Sequence, residues 1–300
     1  MLSWFKLNYL KIRQDSLIFK PYKKSIDPLR TPTIYGLDRV VSADIQTEDG
    51  VYIHLWRRNV SDEEKPFFVV FHGNTGHWGD VGAPDREDEE PYERNYRIGL
   101  LKEIDATGCG FLAVCLRGFG DSQKVKPSED GFIIDAKAVI KYVTEKMRVS
   151  NKNVIILGES LGASVGFIMA ELMTENKTPP ALIATVAAFS SMKWKVLEMH
   201  PDLNEEKLEA GLKHKFDSEK RLENLHEDTH IYLTHPAEDK TTHKSHSKKL
   251  ADIAKASGLK VTHKEIKGAG HITWNPKEVV SDVIKVYSKH VESSKKKRKK

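Results

Sequence analysis

Residues 154–162 read Val-Ile-Ile-Leu-Gly-Glu-Ser-Leu-Gly, a β-branched apolar run that ends in a Gly-x-Ser-x-Gly pentapeptide centred on Ser160. The apolar run predicts a buried strand, and the apolar residues at helical spacing in 161–173 predict a helix. The chain must therefore turn sharply at Ser160. Gly158 and Gly162 lack side chains that would crowd such a turn, so the turn exposes the Ser160 hydroxyl as a nucleophile.

A serine nucleophile requires a base and a carboxylate that orients the base, and candidates for both follow Ser160 along the chain. Residues 230–235 alternate as a strand does, and Asp239 comes shortly after them. Residues 260–266 form a second strand pattern, and His271 follows it in the run Gly-Ala-Gly-His. Because active-site groups of open α/β sheets lie outside the carboxyl ends of strands, we predict that the three side chains meet there.

Other titratable residues compete for these roles among 13 histidines and 43 acidic residues. Glu238 precedes Asp239 and is the alternative acid. His243 and His246 form a His-x-x-His pair, but no third metal ligand is suggested and the stretch is rich in lysine. We therefore predict no metal site, and no motif indicates a cofactor. His263 lies within a strand pattern and is interpreted as structural.

A candidate oxyanion hole follows another buried-strand pattern, residues 66–71, which breaks at His-Gly-Asn-Thr-Gly in residues 72–76. Glycines in this loop let backbone amides approach the nucleophile. We predict that the oxyanion is bound by the amide of Leu161, at the positive end of the following helix, and by the amide of Asn74. Thr75 is the alternative to Asn74.

These motifs resemble the α/β-hydrolase superfamily, and within it the branch of α/β-hydrolase-domain lysophospholipases and protein depalmitoylases and their bacterial relatives. The resemblance runs along most of the chain, through residues 14–19, 48–51, 72–76, 117–122, 158–162, 235–239 and 268–271. It implies Ser160 as nucleophile, His271 as base and Asp239 as orienting acid. The chain departs from the branch at residues 240–242, where an apolar-proline pair is usual, and in the acidic insertion 85–91.

The predicted fold is α/β, specifically an α/β-hydrolase fold with a mostly parallel central sheet flanked by helices. A length of 300 residues with 39% hydrophobic and 30% charged residues fits one globular catalytic domain. We assign residues 1–30 to an N-terminal entry segment and 31–292 to the catalytic domain. Within that domain, residues 190–227 form a short helical cap, and residues 293–300 are predicted to be a basic disordered tail.

Charge and cysteine content limit the partners. The formal charge is +5, and the last six residues are all Lys or Arg, so the rest of the chain is nearly neutral and no basic face indicates nucleic acid. Cys109 and Cys115 lie in or beside an apolar run, which predicts buried thiols in a reducing compartment. We expect a cytoplasmic protein that makes peripheral contact with a membrane such as the endoplasmic reticulum.

Residues 1–10 are apolar but interrupted by Lys6 and Asn8, which predicts neither a signal peptide nor a membrane-spanning helix. Four apolar side chains share one helical face, Leu2, Phe5, Tyr9 and Ile12. This face either anchors the chain on an anionic membrane or packs on the domain. We expect that residues 1–13 do not reach the catalytic residues.

Together these features predict a serine hydrolase that cleaves a carboxylic ester or thioester through an acyl-enzyme intermediate. The expected substrates are acyl lipids, lysophospholipids or acylated proteins. Two alternatives remain, a serine peptidase that acts on short peptides and a non-catalytic binding protein with the same fold. The presence of Ser160, Asp239 and His271 argues against the second.

Overall fold

The computed structural model describes residues 2–21, 31–59, 64–76, 78–79, 81–82, 92–93 and 95–298. The strands are β1 (Val41–Gln46), β2 (Tyr52–Arg58), β3 (Phe67–Phe71), β4 (Val81–Gly82), β5 (Tyr92–Glu93), β6 (Gly110–Val114), β7 (Val154–Glu159), β8 (Leu182–Val186), β9 (His230–Pro236) and β10 (Lys260–Ile266). The helices are α1 (Leu2–Ile18), α2 (Asn95–Ala106), α3 (Glu129–Lys141), α4 (Leu161–Glu175), α5 (Met192–Met199), α6 (Glu205–Gly211), α7 (Ser218–Glu223), α8 (Ser245–Ala256) and α9 (Pro276–Arg298). The acidic insertion, residues 85–91, lies outside the described residues.

Eight strands form one sheet in the order β1-β2-β6-β3-β7-β8-β9-β10. β2 pairs antiparallel with β1 and with β6, whereas every pair from β6 to β10 is parallel. Residues of the central strands β3, β6, β7 and β8 are buried throughout. Because helices cover both faces of these strands, they are apolar without alternation, as the sequence predicted. The predicted α/β-hydrolase fold is confirmed.

Two hydrophobic cores lie on opposite faces of the sheet. α3, α4 and α8 pack on one face. α2 and α9 pack on the other. Cys109 and Cys115 are buried and free of disulfides. The carboxyl ends of the parallel strands therefore open at a single edge, which is where ligands bind in sheets of this kind.

Three short helices, α5, α6 and α7, lie between β8 and β9 in the segment that the sequence assigned to the cap. α1 is joined to this cap by polar contacts at both ends. The Lys6 ammonium lies 3.0 Å from a carboxylate oxygen of Asp202. The Gln14 side chain donates to the carbonyl of Gly211 at 3.3 Å and accepts from the amide of Lys213 at 2.7 Å.

The C-terminal end differs from the sequence-based prediction. α9 continues to Arg298 and so includes most of the stretch expected to be disordered. Lysine and arginine are good helix formers, and cations near a helix C-terminus interact favourably with the helix dipole, so the helix can extend to Arg298. Among the residues that the structure describes, no helix combines the length and the apolarity needed to cross a bilayer.

Candidate active site

Ser160 lies at the turn between β7 and α4 with backbone angles φ +51° and ψ −116°. Residues other than glycine rarely adopt this backbone conformation, which costs of order 1–3 kcal/mol. The glycines on either side permit it, because a Cβ at Gly158 would collide with the backbone of Gly162 and Ala163, and one at Gly162 would collide with the carbonyls that end β3. The predicted strand, sharp turn and helix are all present.

Asp239 and His271 meet at the ends of β9 and β10. Nδ1 of His271 lies 2.7 Å from Oδ2 of Asp239. The two loops are also joined through the backbone, since the amide of Glu238 donates to the carbonyl of Ala269 at 3.0 Å. Glu238 itself is exposed, whereas the Asp239 side chain is wholly buried and is the carboxylate that contacts His271.

The Asp239 carboxylate is held in its charged form. Its Oδ1 accepts the amides of Thr241 and Thr242, each at 2.8 Å. Burial opposes ionisation, but hydrogen bonds from His235 and His271 outweigh it and hold the pKa of Asp239 well below its usual range. Residues 240–242, where the chain departs from the resembled branch, therefore still hold the loop that carries Asp239 in place, because the amides of Thr241 and Thr242 bind the carboxylate.

His235 is a site residue that the sequence analysis did not single out. Its ring is fully buried behind Asp239, with Nε2 2.8 Å from the carbonyl oxygen of Thr242 and 3.3 Å from Oδ2 of Asp239. It therefore adds a second contact to Oδ2, the carboxylate oxygen that also contacts His271. The signal was a histidine near the carboxyl end of β9, four residues before the acid, which local patterns alone do not distinguish from a core histidine.

The candidate oxyanion loop, residues 72–76, follows β3 and is bonded to the end of α1. The Asn74 side chain donates to the carbonyl of Ile18 at 3.2 Å, and the Asn74 carbonyl accepts the amide of Lys20 at 3.0 Å. Asn74, Thr75 and Leu161 line the same cavity as Ser160.

A buried ion pair joins this loop to the turn between β7 and α4, which we call the elbow. Arg97 donates to Oε2 of Glu159 at 3.1 Å and to the carbonyl of Thr75 at 2.7 Å, and the Tyr96 hydroxyl donates to Oε1 of Glu159 at 2.7 Å. Burial disfavours both charges, but their mutual attraction raises the pKa of Arg97 and lowers that of Glu159. Arg97 thus ties the residue before the candidate nucleophile to the oxyanion loop. Sequence patterns gave no sign of it, since Arg97 lies far away on α2.

Ser160 and His271 open onto one cavity of about 800 Å³. No hydrogen bond joins their side chains among the described contacts, and catalytic contacts of this kind often tighten only when substrate binds. The cap contributes Met192, Val196 and Leu208 to the lining, which makes the cavity largely apolar. Its volume falls within the range of about 300–1,000 Å³ that is typical of sites that bury most of a ligand.

The expectation that residues 1–13 do not reach the catalytic residues stays a prediction, but part of this segment contributes to the cavity wall. Leu7 and Leu10 line the same cavity as Ser160. The face of α1 that packs inward includes Leu7, Gln14 and Ile18, whereas Ile12 on the predicted apolar face is 79% exposed. Ile12 therefore does not pack on the domain, and membrane contact of the predicted apolar face stays a prediction.

The remaining candidate histidines have other partners. His246 is buried, with Nδ1 3.0 Å from the Ser190 hydroxyl and Nε2 3.0 Å from a carboxylate oxygen of Glu198. His243 is exposed and contacts Ser245. His263 contacts the Ser247 hydroxyl at 3.2 Å, in line with its structural interpretation.

Comparison with known proteins identifies the family. Residues 129–292, more than half of the chain, match the prolyl oligopeptidase family. The chain belongs to that family. Among solved structures, it is similar to an α/β hydrolase from Vibrio vulnificus, with a TM-score of 0.65 and 18% identity over 90% of this chain and 96% of that one. It is also similar to the esterase Pf2001 of Pyrococcus furiosus, with a TM-score of 0.61 and 16% identity over 93% and 97% of the two chains.

Two curated relatives give a further indication of activity. The chain is 25% identical over 183 residues to the lysophosphatidylserine lipase ABHD12 of Bos taurus, covering 55% of this chain and 42% of the relative. It is 24% identical over 197 residues to the α/β hydrolase domain-containing protein WAV2 of Arabidopsis thaliana, covering 60% and 57%. The matches thus span about half the length of these relatives. Family and relatives together support a hydrolase.

The strained backbone at Ser160 predicts an unusual order of stability. Ser160→Gly relieves the strain, whereas Ser160→Ala keeps a Cβ there, so we expect the glycine variant to be the more stable by about 1 kcal/mol in urea unfolding. Ser164, three residues into the regular part of α4, is the matched control. There the order should reverse, with glycine less stable than alanine by about 1 kcal/mol. The same order at both positions would contradict the strain.

Arg97 is expected to act as a positioning residue for the oxyanion loop. Arg97→Lys keeps the charge but loses the paired contacts, so kcat on a soluble ester should fall about tenfold, less than the 10²–10³ that follows loss of an oxyanion donor, with KM within twofold. Tyr96→Phe should have a smaller effect in the same direction. Arg39→Lys, at an exposed pair with Asp105, is the control and should leave both constants unchanged. A change confined to KM would show that Arg97 does not position the loop.

Proposed function

We propose that the chain is a serine hydrolase that cleaves carboxylic esters or thioesters through an acyl-enzyme intermediate. The observation that carries this proposal is the strained turn at Ser160, which opens onto the same cavity as the His271–Asp239 pair. A serine held at this cost beside a helix N-terminus, with a histidine oriented by a buried carboxylate nearby, is suited to nucleophilic attack on a carbonyl.

Each residue takes a definite role in this proposal. Because Asp239 is ionised, Nδ1 of His271 carries a proton, which leaves Nε2 to accept the proton of the Ser160 hydroxyl. Ser160 Oγ forms a bond to the carbonyl carbon, and the backbone amides of Asn74 and Leu161 bind the resulting oxyanion. The leaving alcohol or thiol takes the proton from His271. Water then attacks the acyl-enzyme by the same route and releases the acid.

The preferred substrate class is an acyl lipid or acylated protein. A largely apolar cavity of about 800 Å³ provides burial for a hydrocarbon chain next to Ser160. One relative is named a lysophosphatidylserine lipase, which agrees with a lipid ester as substrate. The apolar cavity and the name of this relative both concern the acyl portion of the substrate. They do not identify the alcohol or thiol that leaves.

A peptidase is the second candidate, favoured by the match to the prolyl oligopeptidase family over residues 129–292. The two candidates share the nucleophile and base and differ in the bond that is cleaved. Comparison of lysophospholipids, acyl-thioesters and aminoacyl amides on the purified protein separates them. Higher kcat/KM on amides than on esters or thioesters would favour the peptidase.

Substitution of the proposed catalytic residues tests the mechanism. Ser160→Ala and His271→Ala should each lower kcat on an acyl ester by about 10⁴-fold or more, and the double variant should be little worse, because the pair acts as a unit. Asp239→Asn should be milder, and Glu238→Gln, its exposed neighbour, should be neutral. A fluorophosphonate probe should label the wild type and spare Ser160→Ala. Activity that survives in Ser160→Ala, or a wild type that resists the probe, would refute the mechanism.

We further propose that the outer face of α1 contacts an anionic membrane. Ile12 is 79% exposed and Tyr9 56% exposed on this face, and the exposed Arg13 lies beside them. Apolar and basic side chains on one surface helix favour binding at a lipid interface. The basic residues at the C-terminal end of the chain would add electrostatic attraction within about 8 Å of the surface.

Vesicle sedimentation measures this contact. The protein should partition onto vesicles of phosphatidylcholine with phosphatidylserine, and this binding should fall in high salt. Ile12→Ser should weaken the binding about tenfold, since it removes part of the roughly 1.5–3 kcal/mol available from burying an isoleucine. Ser16→Ala, at another exposed position of α1, is the control. Equal binding to pure phosphatidylcholine, or none at low salt, would contradict the proposal.

A further inference from the structure

α1 lies along the cavity rather than across one point of it. Its C-terminal residue Ile18 is bonded to Asn74 in the oxyanion loop, and near its N-terminus Lys6 pairs with Asp202 of the cap. Residues from both ends of the helix line the same cavity as Ser160. The cavity therefore extends along the helix from the candidate nucleophile toward the cap.

Eight described residues of α1 line this cavity, and four of them recur once per helical turn. Ile18, Gln14, Leu10 and Leu7 all contribute to the wall, and each is separated from the next by three or four residues. Side chains at this spacing lie above one another on one face of a helix. Each turn of α1 therefore faces a different depth of the cavity, measured from the oxyanion loop.

The opposite wall comes from the cap and is apolar along much of the same length. Met192 and Val196 of α5 and Leu208 of α6 are buried and line the cavity. A channel with apolar side chains on both sides fits a hydrocarbon chain lying parallel to the axis of α1.

The rise of α1 per residue can be compared with the length of an extended acyl chain lying beside it. Eleven residues separate Leu7 from Ile18, which corresponds to about 16 Å at about 1.5 Å per residue. An extended chain advances about 3.6 Å for every three bonds, so one turn of about 5.4 Å corresponds to about four or five carbon atoms. Leu10 and Leu7 would then meet carbons that differ in position by about four.

We propose that α1 sets the acyl-chain length that the enzyme accepts, with Leu10 and Leu7 as specificity-determining residues at successive depths. This inference rests on the proposed function, because it assumes that the acyl chain of the substrate fills the cavity from Ser160 outward. The side chain at each position limits the carbons that can extend past it. The cap forms the wall of the cavity opposite α1. The oxyanion loop fixes the position of the carbonyl group, from which the chain length is counted.

Tryptophan substitutions at the two depths test the proposal. In wild-type protein, kcat/KM on p-nitrophenyl esters should rise as the acyl group lengthens from acetyl toward palmitoyl. Leu7→Trp should lower kcat/KM at least tenfold for the longest chains and leave acetyl and butyryl esters within twofold. Leu10→Trp should place this loss about four carbons earlier. Leu10→Ala should relax the limit and raise the relative kcat/KM of the longest esters.

Ser16→Trp is the matched control, because Ser16 is exposed on the same helix and does not line the cavity. It should keep the wild-type profile. Equal losses in Leu7→Trp and Leu10→Trp, or an unchanged profile in both, would overturn the proposal. Circular dichroism and thermal unfolding show whether each variant is folded, and Leu10→Ala provides the opposite change where a tryptophan destabilises the protein.

A binding measurement separates this proposal from the catalytic one. Ser160→Ala keeps the cavity without the nucleophile, and calorimetric titration with fatty acids of increasing length reports the cavity alone. Affinity should rise with chain length and then level off, and the added Leu10→Trp should move that plateau to shorter acids. If affinity depends on chain length in this way but the wild-type protein hydrolyses no ester, the proposed function would be refuted, while the role of α1 in setting chain length would stand. Affinity independent of chain length, or no binding, would refute the role of α1 in setting chain length.

Discussion

The first turn of α4 packs directly against the backbone that ends β3, and the rest of the site depends on this contact. Gly162 faces the carbonyls of Phe71 and His72 so closely that no side chain fits between them. The candidate nucleophile and the candidate oxyanion loop therefore occupy adjacent positions through backbone packing alone. The strained angles of Ser160 follow from the same contact, because the chain must reverse within one residue to start α4 there.

Buried charges then hold the surrounding loops in place. Arg97 and Glu159 connect α2, the elbow and the oxyanion loop, while His235 and two threonine amides fix Asp239. Charges of this kind are costly to bury unless each is paired and hydrogen-bonded. Their partners are protein groups with fixed positions, so the field they produce at the cavity is set before any ligand arrives.

Much of the fold and the central part of the site could be predicted from local sequence. Apolar or alternating runs predict strands β7, β9 and β10, and the residues just past the ends of these strands form the candidate site. What local patterns could not predict depends on contacts between distant segments. Arg97 reaches Glu159 across 62 positions, and the inward face of α1 is decided by the cap some 200 positions away. The helical C-terminal end shows the reverse error, where composition suggested disorder although its lysines and arginine favour a helix.

The contacts of α1 are unevenly distributed along its length. Near its C-terminal end, Gln14 bonds to the cap, Asp15 accepts from His214 at 2.7 Å, and Ile18 bonds to Asn74. Among the described side chains near its N-terminal end, the polar contact with the cap is the exposed Lys6–Asp202 pair, and exposed pairs of this kind contribute only about 0–1 kcal/mol. The polar contacts that hold α1 are therefore concentrated at the end next to the oxyanion loop, so changes near its N-terminal end disturb that loop least.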